Sequence, residues 1–169
     1  SRTMRISSGT LGVAQVEDQL VLDFPAVPAR RVKAVPGLAR ALGARPVQVW
    51  AAPRDYMVVL RSEKDVRGLS PNMEALKKLN RLGVIATAPG ETADFVSRFF
   101  APRLGVPEDP VTGSAHCTLV PYWHARLRKE KLQAQQVSPR GGELLCTPRG
   151  ERVTIAGRCV LYLRGGIEV

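Results

Sequence analysis

The feature that most constrains the fold of this chain is a series of short segments in which apolar and polar residues alternate, separated by turns. Residues 11–16 and 19–24 alternate on either side of Glu17 and Asp18. Alternation with a period of two is typical of strands with one buried face, so these segments predict an antiparallel hairpin. Further strands are predicted at residues 46–51, 56–60, 84–88, 94–100, 143–147, 152–156 and 158–164. The last three form a meander whose turns fall at residues 148–150 and 156–157.

Helical patterns are fewer than strand patterns. Between Ser70 and Gly83, apolar residues recur at helical spacing at Met73, Leu76, Leu79 and Leu82. Ser70 is a predicted N-cap, Pro71 suits the first helical position, and Gly83 predicts the end of the helix. A short helical turn is expected near residues 37–42. These patterns predict a single α+β unit over residues 1–169, with a mainly antiparallel or mixed sheet.

A longer helix is predicted from Gly113 or Ser114 to about Lys129, following a loop at residues 101–110. Apolar side chains cover most of its circumference, namely Ala115, Leu119, Val120, Tyr122, Trp123 and Leu127. A helix that is apolar on nearly all sides is expected to be buried. Pro121 lies within it and is expected to kink it, because proline cannot donate a hydrogen bond to the carbonyl of Cys117.

The composition is that of a folded domain, with 44% hydrophobic and 24% charged residues. No apolar run approaches the roughly 20 residues needed to span a bilayer, so a membrane protein is not expected. The three cysteines, Cys117, Cys146 and Cys159, lack C-x-x-C spacing and lie in apolar stretches. They are interpreted as buried free thiols in a reducing cytoplasm.

The chain is basic, with 25 Lys and Arg against 15 Asp and Glu and a net charge of +10. This charge is compatible with nucleic acid, an acidic partner or a solubilising surface. The arginines are dispersed along the chain, and the nine aromatic residues, two Trp, three Tyr and four Phe, do not interleave with basic residues as a stacking platform requires. A nucleic-acid binder is therefore the least favoured of the functional hypotheses.

The segment from Glu108 to Cys117 carries the clearest chemical signal. Two adjacent carboxylates, Glu108 and Asp109, precede a turn of small residues at Gly113 and Ser114, where the long helix begins. The first backbone N–H groups of a helix have no intrahelical acceptor and bind anions. A substrate carboxylate held there would lie about one turn from Asp109, which could move a proton on an adjacent carbon directly or through an imidazole.

Structural and catalytic alternatives remain for the same residues. Thr112 or Ser114 could cap the helix, and Asp109 could stabilise its positive end. A catalytic triad is disfavoured, because Ser114 and His116 are two apart on a helix and point to different faces. A metal site is not expected either, since His116, Cys117 and His124 have no matching partner pair elsewhere in the sequence.

The residues from Glu108 to His116, which read EDPVTGSAH, followed by PYW at 121–123, resemble the signature of the PhzF family of phenazine-biosynthesis-like isomerases. Further blocks resemble family landmarks in family order, at residues 8–11 (SGTL), 23–25 (DFP), 94–102 (DFVSRFFAP) and 138–144 (SPRGGEL). Several separated blocks match together, so the resemblance is specific and covers essentially the whole chain.

The resemblance implies a diaminopimelate epimerase-like fold, in which a sheet wraps around a central buried helix and the active site lies between two such domains. It also implies an isomerase that moves a proton on a small unsaturated carboxylic acid, without a metal or organic cofactor. Asp109 matches the aspartate that assists the proton shuttle, and Gly113 and Ser114 match the backbone donors to the substrate carboxylate. Glu108, Thr112 and His116 are expected to support these residues.

The chain also departs from the family pattern, because it resembles only the second half of such enzymes. The glutamate of a Gly-Asn-Pro segment and a Cys-Gly-His-Ala type segment belong to the first half, and nothing here matches them. Since two-sided proton transfer needs a donor and an acceptor around one carbon, the chain alone is expected to be inactive. The expected partners are an N-terminal domain or second chain, a homodimeric copy and the acid substrate, with no nucleic acid or membrane. The alternative is a non-catalytic interaction module.

Overall fold

The computed structural model describes residues 2–6, 9–160 and 165, and for residues 2–6, 9 and 10 it describes the backbone alone. These residues form one sheet of twelve strands. The strands are β1 (Arg2–Ile6), β2 (Gly9–Val16), β3 (Gln19–Pro25), β4 (Arg30–Val32), β5 (Gln48–Ala51), β6 (Asp55–Val59), β7 (Gly83–Pro89), β8 (Phe95–Ala101), β9 (Val106–Asp109), β10 (Leu132–Gln136), β11 (Gly142–Arg149) and β12 (Arg152–Arg158). The helices are α1 (Leu38–Leu42), α2 (Glu63–Arg67), α3 (Met73–Lys77) and α4 (Gly113–Leu127), with a single 3-10 turn at Pro102–Leu104.

The strands are arranged in the order β1-β2-β3-β12-β11-β10-β8-β7-β6-β5-β4, and β9 pairs with β8 outside this path. Two neighbouring pairs, β10 with β8 and β6 with β7, are parallel, whereas the other pairs are antiparallel. The predicted mixed sheet is therefore confirmed. The predicted hairpin is confirmed as well, because β2 and β3 pair around Glu17 and Asp18.

The middle of the sheet is buried on both faces, because helices cover each side. In β8, Phe95 and Phe99 pack in the cluster that contains α4. Val96 and Phe100 point to the opposite face and pack with residues of α1, α2 and α3. Since side chains alternate between the two faces of a strand, two apolar layers share one sheet. Within the described chain, no helix is long and apolar enough to cross a membrane.

Helix α4 begins at Gly113 as predicted and ends at Leu127, two residues before the expected Lys129. Six consecutive residues, from Ala115 to Val120, are buried, which is more than one full turn. The helix continues through Pro121. Because Pro121 has no backbone N–H, it cannot donate to the carbonyl of Cys117 within the helix. This carbonyl instead accepts the N–H of Val27 at 2.9 Å. The proline thus makes a docking point for the segment after β3.

The helix predicted after Ser70 is shorter than its apolar spacing suggested. It is α3, and its N-cap is Asn72 rather than Ser70, because the Asn72 side chain accepts the N–H of Ala75 at 2.9 Å. Downstream, the N–H of Leu82 donates to the carbonyl of Arg54 at 2.8 Å, and Gly83 starts β7 instead of ending a helix. Tertiary pairing therefore overrode the helical spacing of the apolar residues.

Four other expectations were wrong. The predicted loop at residues 101–110 contains the 3-10 turn and β9. Four further elements, β1, β4, α2 and β10, were not predicted at all. No turn occurs at residues 156–157, because β12 continues through them while pairing with β3. The predicted last strand does not begin at residue 158, because Arg158 ends β12 and residues 159 and 160 are not in a strand. Residues 161–164 of that prediction lie outside the described residues. Cys117 and Cys146 are buried as predicted, but Cys159 is exposed.

We expect Gly142→Ala to destabilise the fold, because a Cβ at this position would collide with Cγ2 of Val111, beside the start of α4. Overpacking of this kind costs about 1–3 kcal/mol in the free energy of unfolding. Gly157→Ala is a matched control in the same sheet, since its Cβ would meet only the carbonyl oxygen of Glu143 at 3.5 Å. Urea denaturation of both variants measures the difference, and equal stabilities would contradict the packing described here.

Candidate active site

The first turn of α4 is open. Thr112 occupies the N-cap position with extended backbone angles of φ −117° and ψ 101°, but its side chain does not cap the helix. Gly113 is half-buried and Ser114 is exposed. Among the described residues, none accepts a hydrogen bond from the backbone N–H of Gly113 or Ser114. These two donors, at the positive end of a fifteen-residue helix, are therefore available to an anion.

The Thr112 hydroxyl is used elsewhere, which explains the missing cap. It donates to Oδ2 of Asp109 at 2.6 Å. Asp109 is half-buried at the end of β9, so its carboxylate is fixed next to the N-terminus of α4. The structural alternative in which Thr112 or Ser114 caps the helix is wrong, because the Thr112 hydroxyl serves Asp109 and Ser114 lies inside the helix.

Two side chains from the far side of the chain hold the turn between Asp109 and Thr112. Gln136, at the end of β10, contacts the backbone of both Asp109 and Thr112. Ser138 donates its hydroxyl to the carbonyl of Pro110 at 2.8 Å. Sequence reasoning missed Gln136, although one signal was present. In β10 the alternate positions Leu132 and Ala134 are buried and apolar, and a polar Gln136 continues the same buried face.

Glu108 supports β9 from its other face. Its carboxylate forms two hydrogen bonds with Arg98, at 2.7 Å to Nε and 2.8 Å to Nη2. The remaining Nη1 of Arg98 donates to the carbonyls at the end of α2, of which the closest is Leu69 at 2.8 Å. Because adjacent residues in a strand point to opposite faces, Glu108 faces Arg98 while Asp109 faces Thr112. The ion pair therefore anchors the strand that carries Asp109.

His116 lies beneath the open turn, fully buried. Its Nδ1 is 2.7 Å from the carbonyl oxygen of Thr112, and a carbonyl only accepts, so Nδ1 carries the hydrogen. Its Nε2 has no hydrogen-bond partner among the described residues. Burial lowers the pKa of His116 to about 4, so the ring is neutral at neutral pH. His116 thus contacts Thr112 from the interior, whereas Ser114 faces solvent on the same helix.

The site thus combines a fixed carboxylate with the open N-terminus of a helix, on an α+β scaffold. The phenazine biosynthesis-like protein family (PhzC-PhzF) matches residues 17–165, and the chain belongs to this family. The predicted resemblance is therefore confirmed. Two proteins of Pseudomonas aeruginosa, each named as an uncharacterized isomerase, are 52% and 45% identical to the chain over 162 residues. In both cases the alignment covers 96% of this chain and 62% of the relative.

A solved structure shows the same fold. The crystal structure of a PhzF-family phenazine biosynthesis protein from Enterococcus faecalis superposes with a TM-score of 0.89 at 43% sequence identity. The match covers 96% of this chain and 63% of that one. The chain therefore spans about three fifths of the length of the relatives that it matches. Among the described residues, no group of three or more His, Cys, Asp or Glu side chains is arranged to hold a metal ion.

The buried neutral imidazole of His116 predicts a pH-dependent stability. Its pKa is lowered from 6.5 to about 4 in the folded protein, so between these values the unfolded chain binds more protons. The free energy of unfolding should therefore fall as the pH drops from about 6.5 to 4, by about 3 kcal/mol from this residue. His116→Gln keeps a donor for the Thr112 carbonyl and should lack this contribution. Denaturant unfolding at pH 4.5 and 7.5 tests it, and an equal loss in both proteins would contradict it.

Proposed function

We propose that this chain supplies one wall of the active site of an isomerase, which moves a proton on a small unsaturated carboxylic acid without a cofactor. The open first turn of α4 beside Asp109 is the observation that carries the proposal. In this arrangement, the backbone N–H groups of Gly113 and Ser114 bind the substrate carboxylate. Asp109 then transfers the proton.

Several features support carboxylate binding at the start of α4. Two unused N–H donors and the helix dipole favour a negative group, and no acidic residue occupies the first turn. Gly113 carries no side chain that could block the approach of the ligand. Ser114, at the second position of the helix, is exposed. An acid bound there lies next to the side chain of Asp109.

The surroundings of Asp109 suit a proton carrier. Oδ2 accepts the Thr112 hydroxyl at 2.6 Å, whereas no described residue forms a hydrogen bond with Oδ1. One oxygen is therefore held and the other is free to accept a proton from a substrate carbon. In an isomerisation, Asp109 takes a proton from one carbon while a second group donates a proton to another.

The proposal also includes a source for the second proton-transfer group. We infer that it comes from the part of the complete protein that is not in this chain, or from a second chain, because the chain spans 62% of its relatives. The chain is then inactive alone, and the complete protein works as a cytoplasmic homodimer without nucleic-acid or membrane partners. In this proposal α4 is the central helix, around which the sheet wraps as in diaminopimelate epimerase.

Asp109→Asn in the complete protein tests the proton-transfer role. The protein is incubated with a panel of small unsaturated carboxylic acids in D₂O, and deuterium incorporation is followed by NMR. An amide keeps the hydrogen bond from Thr112 but cannot accept the substrate proton, so incorporation should fall by at least about a hundredfold. Binding of the acid should change by less than about threefold, because the donors at Gly113 and Ser114 remain.

Asp18→Asn is the matched control, since Asp18 lies in the β2–β3 turn and pairs with Arg158 at 2.9 Å. It should leave the exchange unchanged. Wild-type exchange in the Asp109→Asn variant would contradict the proton-transfer role. A complete natural protein that exchanges no acid in the panel, yet binds another protein tightly, would instead support the alternative of a non-catalytic interaction module.

A further inference from the structure

We propose that Gln136 is a positioning residue, which directs the Thr112 hydroxyl to Asp109 and fixes the turn between them. This inference rests on the proposed function, because it assigns Gln136 to the proton-transfer half of the site. Gln136 touches neither of the two helix amides that bind the acid in that proposal.

The side-chain amide of Gln136 takes the place of a backbone partner for the turn. Its Oε1 accepts the N–H of Thr112 at 2.8 Å, and its Nε2 donates to the carbonyl of Asp109 at 2.6 Å. Only this orientation of the amide works, because a backbone N–H can only donate and a carbonyl can only accept. Both ends of the turn are therefore attached to one rigid group.

The same amide determines where the Thr112 hydroxyl points. Nε2 of Gln136 also donates to Oγ1 of Thr112, at 3.1 Å. The hydroxyl has a single hydrogen, and Oγ1 already accepts from Gln136, so its hydrogen is left for Oδ2 of Asp109 at 2.6 Å. The result is a directed chain of hydrogen bonds from Gln136 through Thr112 to the carboxylate, in which each bond strengthens the next.

The position of Gln136 prevents this arrangement from relaxing. Gln136 is fully buried, and β10 pairs it with Ser97 on one side and with Gly142 on the other. Its amide cannot exchange the Thr112 and Asp109 contacts for water. Since the open amides of α4 start one residue beyond Thr112, loss of Gln136 should disturb Asp109 more than the binding of the acid.

Gln136→Met in the complete protein tests the inference, with Gln133→Met as the matched control. Gln133 lies on the same strand, but its side chain is exposed on the opposite face. Gln136→Met removes the acceptor of the Thr112 N–H, so hydrogen exchange at this amide should accelerate at least about tenfold. In the deuterium-incorporation assay, kcat should fall at least about tenfold while KM changes less than about threefold. Gln133→Met should change neither.

Gln136→Glu is a second variant with a different signature. An ionised Glu at this position still accepts the Thr112 N–H but cannot donate to Asp109, whereas a protonated Glu regains one donor. The rate at which this variant catalyses deuterium incorporation into the acid, relative to wild type, should therefore rise as the pH falls through the pKa of the introduced carboxyl. Gln136→Met should show no such recovery. Circular dichroism at each pH measures the folded fraction of the variant. If Gln136 contributed to stability alone, kcat would not recover at low pH while this fraction stayed constant.

The outcomes separate the two proposals. Unaltered Thr112 amide exchange in folded Gln136→Met protein would overturn the positioning role, as would kcat and KM that change by equal factors or a Gln136→Glu variant without recovery at low pH. If the natural complete protein catalyses no deuterium incorporation into any acid of the panel, the proposed function fails. The amide exchange of Thr112 then still shows whether Gln136 holds the turn.

Discussion

The hydrogen bond from the Thr112 hydroxyl to Asp109 is the interaction on which the site depends. A threonine before a helix ordinarily turns its oxygen towards the first turn and satisfies one of its N–H groups. Here the hydroxyl is used on the carboxylate, so the helix start stays open and Asp109 is held beside it. One side-chain choice thus leaves the helix start open and orients the carboxylate, and the proposed function uses the first to bind the acid and the second to accept a proton.

The rest of the fold keeps these groups in place from several directions. Gln136 holds the turn from β10, and the Arg98–Glu108 pair anchors β9 to the end of α2. Trp123 anchors the interior side of α4, because it stacks on Phe95 at 5.5 Å and donates to Thr87. Helix α4 cannot shift without breaking contacts to strands across the sheet. Such rigidity suits a site whose chemistry depends on short distances between fixed groups.

The sequence predicted the parts of the site that are local. The start of α4 and the neighbouring Asp109 follow from the small residues at Gly113 and Ser114 and from the spacing to the carboxylates. Long-range contacts were not predictable in this way. Gln136 lies 27 residues from Asp109 in the chain, and only the pairing of β10 with β8 brings them together. The same limit explains why the predicted length of α3 was wrong. Its apolar spacing continues to Leu82, but the N–H of Leu82 donates to the carbonyl of Arg54, just before β7 begins.

Removal of a single backbone N–H from the start of α4 tests the proposed carboxylate binding most directly. Gly113→Pro deletes the first N–H of α4 at a position that accepts proline, and the extended backbone of Thr112 suits a residue before proline. Gly113→Ala keeps the N–H and places its Cβ 3.4 Å from the Phe24 ring. In calorimetric titrations of the complete protein with crotonate, a small unsaturated acid, the proline variant should bind at least about tenfold more weakly than the alanine variant. Equal affinities would contradict carboxylate binding by these amides.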